Sequence, residues 1–250
     1  MEHAQGRGGG RRSGARALFG FIGAMLFAGH LGAVEPAARG TDGAAEAFAR
    51  YTATQKDNGA WRQESVEIDA SLPKLSKEGR LRAIRKLLPV GRPQYQVLEL
   101  TGDQMVKREV IARYLSEDAQ ATQIPAASVA ITPANYKFRF TASIRTGSVT
   151  VYIFTITPRK KRQGLIQGQL WLDGATGLAV RQSGYLVKRP SLFVKRIDFA
   201  RETQLRDGVA ELRITHLTID TRLAGKAELT IQERPFETAN SADLPEGTQQ

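Results

Sequence analysis

The stretch NYKFRFTASIR, residues 135–145, alternates more cleanly than any other part of the chain. Tyr136, Phe138, Phe140, Ala142 and Ile144 fall on one face, and Lys137, Arg139, Thr141, Ser143 and Arg145 on the other. A period of two with bulky apolar groups on one side only is the pattern of a β-strand with one face against a core. The segments after it repeat the pattern: SVTVYIFTITP, GLIQGQLWLD, GLAVRQSGYLVK, LFVKRIDFARE, AELRITHLTID and GKAELTIQERPF, most of them separated by turns containing Gly or Pro. About seven consecutive strands with short connections predict an antiparallel meander. SVTVYIFTITP is apolar on both faces and has to be covered on both, which hints at an apolar cavity or a filled core beside it.

Upstream of the meander the patterns are mixed. Asp42 suits the N-cap of a helix over about 43–57, with Ala44, Ala45, Phe48 and Tyr51 on one face and Asn58-Gly59 as its stop. WRQESVEIDA reads as a partly exposed strand, and GRLRAIRKLLP as strand or helix. QYQVLELTG reads as a strand with Tyr95, Val97 and Thr101 on one side. DQMVKREVIARYLSEDA places Val106, Val110, Ile111, Tyr114 and Leu115 on one helical face, although its first residues also alternate like a strand. Residues 119–135, with Pro125 and Pro133, read as a loop. The predicted fold class is α+β: one large antiparallel sheet, curved into an incomplete barrel, with one or two covering helices.

The beginning of the chain is different. MEHAQGRGGGRRSGAR is rich in Gly and Arg, and seventeen mostly apolar residues follow, from Ala17 to Ala33. A basic segment, an apolar segment and small residues at its end describe a secretory signal peptide over 1–33; an uncleaved membrane anchor is the alternative. The expected organisation is that leader, a flexible lead-in over 34–42, one domain over 43–236 and a disordered tail over 237–250. The expected location is the periplasm, or the periplasmic side of a membrane if the anchor is retained. The formal charge of +11 falls to about +8 once the leader's four Arg and one Glu are set aside. In an exported protein that surplus reads as a solvated basic surface, or as attraction to an anionic membrane surface rather than to nucleic acid. There is no cysteine, which excludes disulfides, a thiol nucleophile and a lipidated cysteine.

Catalytic chemistry finds little to stand on. His216 is the one histidine outside the leader, and Asp198 and Asp220 lie on different predicted strands. No metalloprotease, phosphate-loop, dinucleotide or nucleophile-elbow motif is present. The expectation is a protein that is not an enzyme and uses neither metal nor cofactor. Trp61 and Trp171 read either as scaffold or as half-exposed, ligand-facing aromatics. Arg159, Lys160, Lys161 and Arg162 form the sharpest charge cluster. They suit contact with an anionic membrane surface or a partner protein, or keep a turn between two apolar strands soluble.

The hairpin LWLDGATGLAVRQSGYL, residues 170–186, adds a resemblance. It resembles the L-W-L-D…T-G-L segment of the RseB/MucB periplasmic regulators, whose N-terminal domain is similar to the lipoprotein carriers LolA and LolB. LTGDQMVKREVIARYL is similar to the stretch of those regulators where a Gly leads into a basic-acidic-apolar-Ile-x-Arg run. The resemblance spans roughly residues 44–236. It implies a half-open sheet lidded by helices that takes up acyl chains of lipoproteins or other lipids. The chain would act as an outer-membrane lipoprotein-sorting carrier or chaperone, or as a stress-sensing module that binds lipid and a protein partner. Cavity candidates are Tyr136, Phe138, Phe140 and Ile144 on the first meander strand, Val151 and Ile153 on the second, and Leu170 and Leu172 on the third.

Overall fold

The computed structural model describes residues 33–35, 41–54, 63–87, 92–190, 192, 194–222 and 225–236. Most of the expected leader, Asn58-Gly59, Trp61 and the tail over 237–250 lie outside the described residues. In chain order the strands are β1 (Ala33–Glu35), β2 (Gln63–Leu72), β3 (Lys77–Lys86), β4 (Gln94–Gly102), β5 (Tyr136–Thr146), β6 (Val149–Pro158), β7 (Ile166–Asp173), β8 (Ala179–Leu186), β9 (Val194–Arg206), β10 (Val209–Thr221) and β11 (Lys226–Pro235). Helix α1 covers Thr41–Thr54. Helix α2 covers 104–121 in three pieces: Gln104–Val106, a π turn over Lys107–Ile111, and Ala112–Ala121. One further helical turn, Ala126–Val129, lies before β5.

The alternation from residue 135 onward does build a meander, because each strand from β5 to β11 pairs antiparallel with the next. The eleven strands form one sheet in the order β1-β5-β6-β7-β8-β9-β10-β11-β2-β3-β4. It is open, with β1 and β4 as its edges, and the chain is α+β as expected.

Register across the sheet shows which side chains share a face. One row runs Phe140–Phe154–Leu170–Gln182–Arg201–Thr215–Ile231–Ile68–Leu81–Leu100. The next row, one pleat away, runs Phe138–Ile156–Gly168–Gly184–Phe199–Leu217–Leu229–Ala70–Gly79–Gly102. Both belong to the face that carries the helices, and each runs through two buried cores. Under α1 lie Tyr136, Phe154, Ile156, Leu165, Ile166, Leu170 and Leu172, joined by the helix's Ala44 and Tyr51. Under α2 lie Val66, Ile68, Ala70, Leu72, Leu81, Ala83, Ala227, Leu229 and Ile231, joined by the helix's Val106, Val110 and Ile111. Burial of each large side chain here is worth about 1.5–3 kcal/mol, so these two stripes hold both helices to the sheet. The outer face reads Ile153–Trp171–Arg181–Glu202–Ile214–Gln232–Glu67–Arg82–Glu99, mostly polar and charged.

Several expectations need correcting. WRQESVEIDA is no marginal strand: β2 sits between β11 and β3 and buries Glu64, Val66, Ile68, Ala70 and Leu72 on one face. GRLRAIRKLLP contains most of β3. Helix α1 starts at Thr41, so Asp42 lies in its first turn, and it buries Ala44, Ala47 and Tyr51 while Ala45 is exposed. Ala33–Glu35, placed at the leader and lead-in, pair with β5 as β1. The single face expected of β5 is broken by a bulge at Thr141. Phe140 is opposite Phe154, but Ala142 is opposite Ile153 and Ile144 opposite Val151. One extra residue reverses the side on which every later side chain emerges. A bulge at Leu98 likewise puts Thr101 on the opposite side of β4 from Tyr95 and Val97.

Candidate functional site

The β7–β8 turn positions α1. Asp173 accepts hydrogen bonds through Oδ1 from the Thr176 backbone N–H at 2.8 Å and the Thr176 hydroxyl at 2.7 Å. Gly177 closes the turn at φ 74°, with its N–H on the Asp173 carbonyl at 2.8 Å. A Cβ at Gly177 would stand 2.5 Å from Arg50 Cβ and 2.8 Å from Tyr51 N, so the helix backbone rests on this glycine. Arg50 donates to the Gly174 carbonyl at 2.6 Å, and the Tyr51 hydroxyl donates to the Ile131 carbonyl at 2.8 Å. The hairpin that carries the family resemblance is thus the seat of one covering helix.

Further along the same strands, Gly168 and Gly184 lie directly opposite each other. A Cβ on Gly168 would stand 1.9 Å from the Ser183 carbonyl oxygen, and one on Gly184 would stand 2.2 Å from that of Gln167. Only glycine permits this approach, and it leaves a gap in the side-chain row between Ile156 and Phe199.

The two cores meet at the cross-strand pair Phe199–Leu217. Phe199 packs against the core under α1, and Leu217, with Ile219, against the core under α2. All three are half-buried, as is Ile197 opposite Ile219. The helix-bearing face of β8–β10 is therefore an apolar floor, less covered than the cores on either side. The next rows change character. Gln182, Arg201 and Thr215 follow Gly184, Phe199 and Leu217, with Arg201 Nε donating to Thr215 Oγ1 at 3.0 Å.

A charged cluster lies beyond them under the C-terminal part of α2. Arg85 pairs with Glu64 at 2.6 Å, with Asp118 of α2 at 2.8 Å and with Glu233 at 3.6 Å. The Tyr95 hydroxyl donates to Asp118 at 2.6 Å. Glu64 is 1% exposed. Burial, with Glu233 beside it, pushes its carboxyl above the usual carboxylate range against the pull of Arg85. Burial also raises the phenols of Tyr95 and Tyr114 and lowers the guanidinium of Arg213. The floor is thus apolar at one end and polar at the other, with its polar end latched to α2.

The expected cavity residues divide between the two faces. Tyr136, Phe138, Phe140, Leu170 and Leu172 lie on the helix-bearing face: Tyr136, Leu170 and Leu172 in the closed core, Phe138 half-buried beside Phe48, and Phe140 half-buried beside Tyr152 and Phe154. Phe48 stands 4.7 Å from the ring of Phe138 and 5.5 Å from that of Phe154. Ile144, turned by the Thr141 bulge, and Val151 and Ile153, which alternate with the inward Phe154 and Ile156 of β6, are on the outer face and do not share a side with the other five. Phe199, Leu217, Ile197 and Ile219 are not among the expected residues. Their strands alternate, but nothing local says that β9 and β10 lie between the two helices.

The basic cluster also divides. Arg159 Nε donates to the Pro133 carbonyl at 2.8 Å, and Arg162 donates to the Ser128 carbonyl at 3.1 Å and Asn135 Oδ1 at 2.8 Å. These two arginines brace the segment before β5, while Lys160 and Lys161 are exposed. Trp171 stands on the outer face with Arg181 5.3 Å from its ring and Glu202 bound to Arg181 at 2.5 Å. His216 Nδ1 is 3.1 Å from Thr230 Oγ1, and Asp198 is chelated by Arg196 Nε at 2.7 and 2.8 Å. Among the described residues no group of His, Asp and Glu is placed to hold a metal ion, and no helix is long and apolar enough to cross a membrane.

No protein-family model matches the chain. No curated protein matches it either. Among solved structures it is similar to a LolA superfamily protein, NE2245 from Nitrosomonas europaea, at 10% identity over 81% of this chain and 94% of that one, with a TM-score of 0.34. It is also similar to MucB, at 11% identity over 79% of this chain and 94% of that one (TM-score 0.25), and to MucB in complex with MucA(peri), at 11% identity over 76% and 92% (TM-score 0.22). At such scores these likenesses add nothing to the fold that the strand order already defines. That fold is an open antiparallel sheet with two helices on one face.

Proposed function

We propose that this protein is a periplasmic carrier that binds an acyl chain, of a lipoprotein or another lipid, on the helix-bearing face of its sheet. The carrying observation is the half-buried apolar floor at Phe199, Leu217, Ile197 and Ile219, between two fully closed cores. An acyl chain laid there leaves water at about 0.8 kcal/mol per CH₂, so a long chain is held without any catalytic group. The polar rows at Gln182, Arg201 and Thr215 would stop the chain at one end, and α1 and α2 would flank it.

Extraction of the purified protein followed by mass spectrometry tests this reading, paired with titration by a fluorescent fatty acid. Co-purified lipid or saturable probe binding is the expected outcome. An empty protein that fails to bind the probe sinks the proposal. Leu217→Asp is expected to weaken probe binding at least tenfold while the chain stays folded, because Leu217 is only half-buried.

A second reading, a stress-sensing module that also contacts a protein, is favoured by the β4 edge. Val97, Leu98 and Leu100 are 52%, 56% and 43% exposed there, and β4 has β3 as its one neighbour in the sheet. An apolar edge with unpaired backbone groups suits strand addition by a partner, while the bulge at Leu98 acts against it. Saturable binding of an extended peptide that Val97→Lys abolishes would favour this reading.

A further inference from the structure

The connections between strands carry most of their basic residues at one end of the sheet. At one end of the sheet lie the β6–β7, β8–β9 and β10–β11 loops and the β2–β3 turn. They carry four, two, one and one basic residues respectively, and no acidic residue. At the opposite end the β5–β6, β7–β8 and β9–β10 turns carry one acidic residue, Asp207, and no basic one, and the β3–β4 connection carries one basic residue, Arg92.

The basic connections form one continuous surface. The Val187 N–H donates to the Leu165 carbonyl at 3.0 Å, joining the β8–β9 and β6–β7 loops. Arg222 Nε donates to the Leu192 carbonyl at 2.9 Å, joining the β10–β11 and β8–β9 loops. The Lys74 stem lies against Gly225, joining the β2–β3 turn to the β10–β11 loop. On this surface Leu192 is 83% exposed and Leu75 is 47% exposed. A surface hollow of about 410 Å³ is lined by Val187, Lys188, Arg189, Pro190 and Leu192.

We propose that this end of the sheet docks on an anionic lipid bilayer, with Leu192 and Leu75 entering the interface and Lys160, Lys161, Lys188 and Arg189 lying among the phosphates. Solubility alone would be served by charges of either sign and would not place a leucine at a loop tip. Leucines ringed by cations are instead the combination that an interface of acyl chains beneath anionic headgroups attracts. Of the basic cluster Arg159–Arg162, the two arginines brace the fold. Lys160 and Lys161 are exposed and are the pair offered here to the membrane. The proposal stands apart from the lipid cargo, because bilayer docking and acyl binding are separate measurements.

Sedimentation with vesicles of phosphatidylethanolamine containing about 30% phosphatidylglycerol tests it, against vesicles of phosphatidylcholine alone. The wild-type chain is expected to bind the anionic vesicles and not the zwitterionic ones, with binding weakened by raising salt from about 50 to about 300 mM. Lys160→Glu with Lys161→Glu is expected to weaken binding at least about 30-fold. Arg145→Glu with Arg206→Glu changes the net charge equally at the exposed opposite end and is expected to leave binding within about threefold of wild type. Leu192→Ser is expected to weaken binding several-fold at high salt, where insertion dominates. Circular dichroism and thermal unfolding check that each variant stays folded. No binding to anionic vesicles, equal binding to both vesicle types, or equal losses from the two charge-reversal pairs overturns the proposal. So does Leu192→Ser binding like wild type.

Discussion

Gly177 is glycine for two independent reasons, a φ of 74° and a helix backbone in the space a Cβ would need. A left-handed conformation costs a non-glycine residue about 1–2 kcal/mol, and overpacking adds about 1–3. Gly177→Val is therefore expected to lower unfolding free energy by about 3 kcal/mol, measured by urea denaturation. Arg85 is the other decisive single residue. It faces three carboxylates, and removing it takes the guanidinium away from Glu64 and Glu233, which are buried side by side. Arg85→Met is expected to cost about 3–5 kcal/mol, the loss typical of breaking a buried pair from one side. Replacing Arg85 and Glu64 together with apolar residues should cost less than Arg85→Met alone, since the buried Glu64 carboxyl goes with its partner while Glu233 stays beside Arg213.

Helix α2 is placed by both of its ends. Asp103 caps its start, accepting from the Met105 N–H at 2.8 Å, and pairs with Lys77 at 3.3 Å. The Met105 hydrogen bond, followed by Lys77, holds the Asp103 carboxyl below the usual 3.8. A depressed carboxylate stabilises the fold above its unfolded value and loses that contribution as pH falls through the lower folded value. The difference in melting temperature between wild type and Asp103→Ala is thus expected to be present at neutral pH and to close as pH falls below 3.8.

This helix was legible in the sequence: Val106, Val110 and Ile111 are its buried residues, and the π turn keeps them against the sheet. Strand β5 was legible only as far as Phe140. Thr141 looks like any other outward-facing residue, and its bulge is set by pairing with β6. The importance of β2 was hidden for a similar reason. Its partner β11 is more than 150 residues away, and the apolar face of QESVEIDASL gains its meaning from that pairing. Glu64 and Arg85 are unremarkable charges in sequence and become a buried cluster only when α2 delivers Asp118 to them.

The molecule as a whole combines an open sheet, two helices that close its two flanks on one face, and a less covered apolar strip between them. A core buried for stability alone would be closed throughout, and the strip is where such closure is weakest. Its apolar rows, Phe199–Leu217 and Ile197–Ile219, lie toward the end that bears the basic connections, and its polar rows toward the other. Cargo binding and bilayer docking would therefore meet at the same end of the sheet, so that an acyl chain could pass between membrane and protein with little exposure to water. The Gly168–Gly184 gap lies in the same row as Phe199. Enlarging Gly184 is expected to reduce fatty-acid binding and stability together, because the bulk would displace the strand backbone of β7.

The most direct test is where a bound acyl chain touches the protein. A photoactivatable fatty acid, cross-linked to the purified chain and mapped by peptide mass spectrometry, is expected to label peptides carrying Phe199 and Leu217 and to be displaced by unlabelled fatty acid. Labelling confined to the outer face around Trp171 and Tyr185, or labelling that unlabelled fatty acid does not displace, would contradict the account.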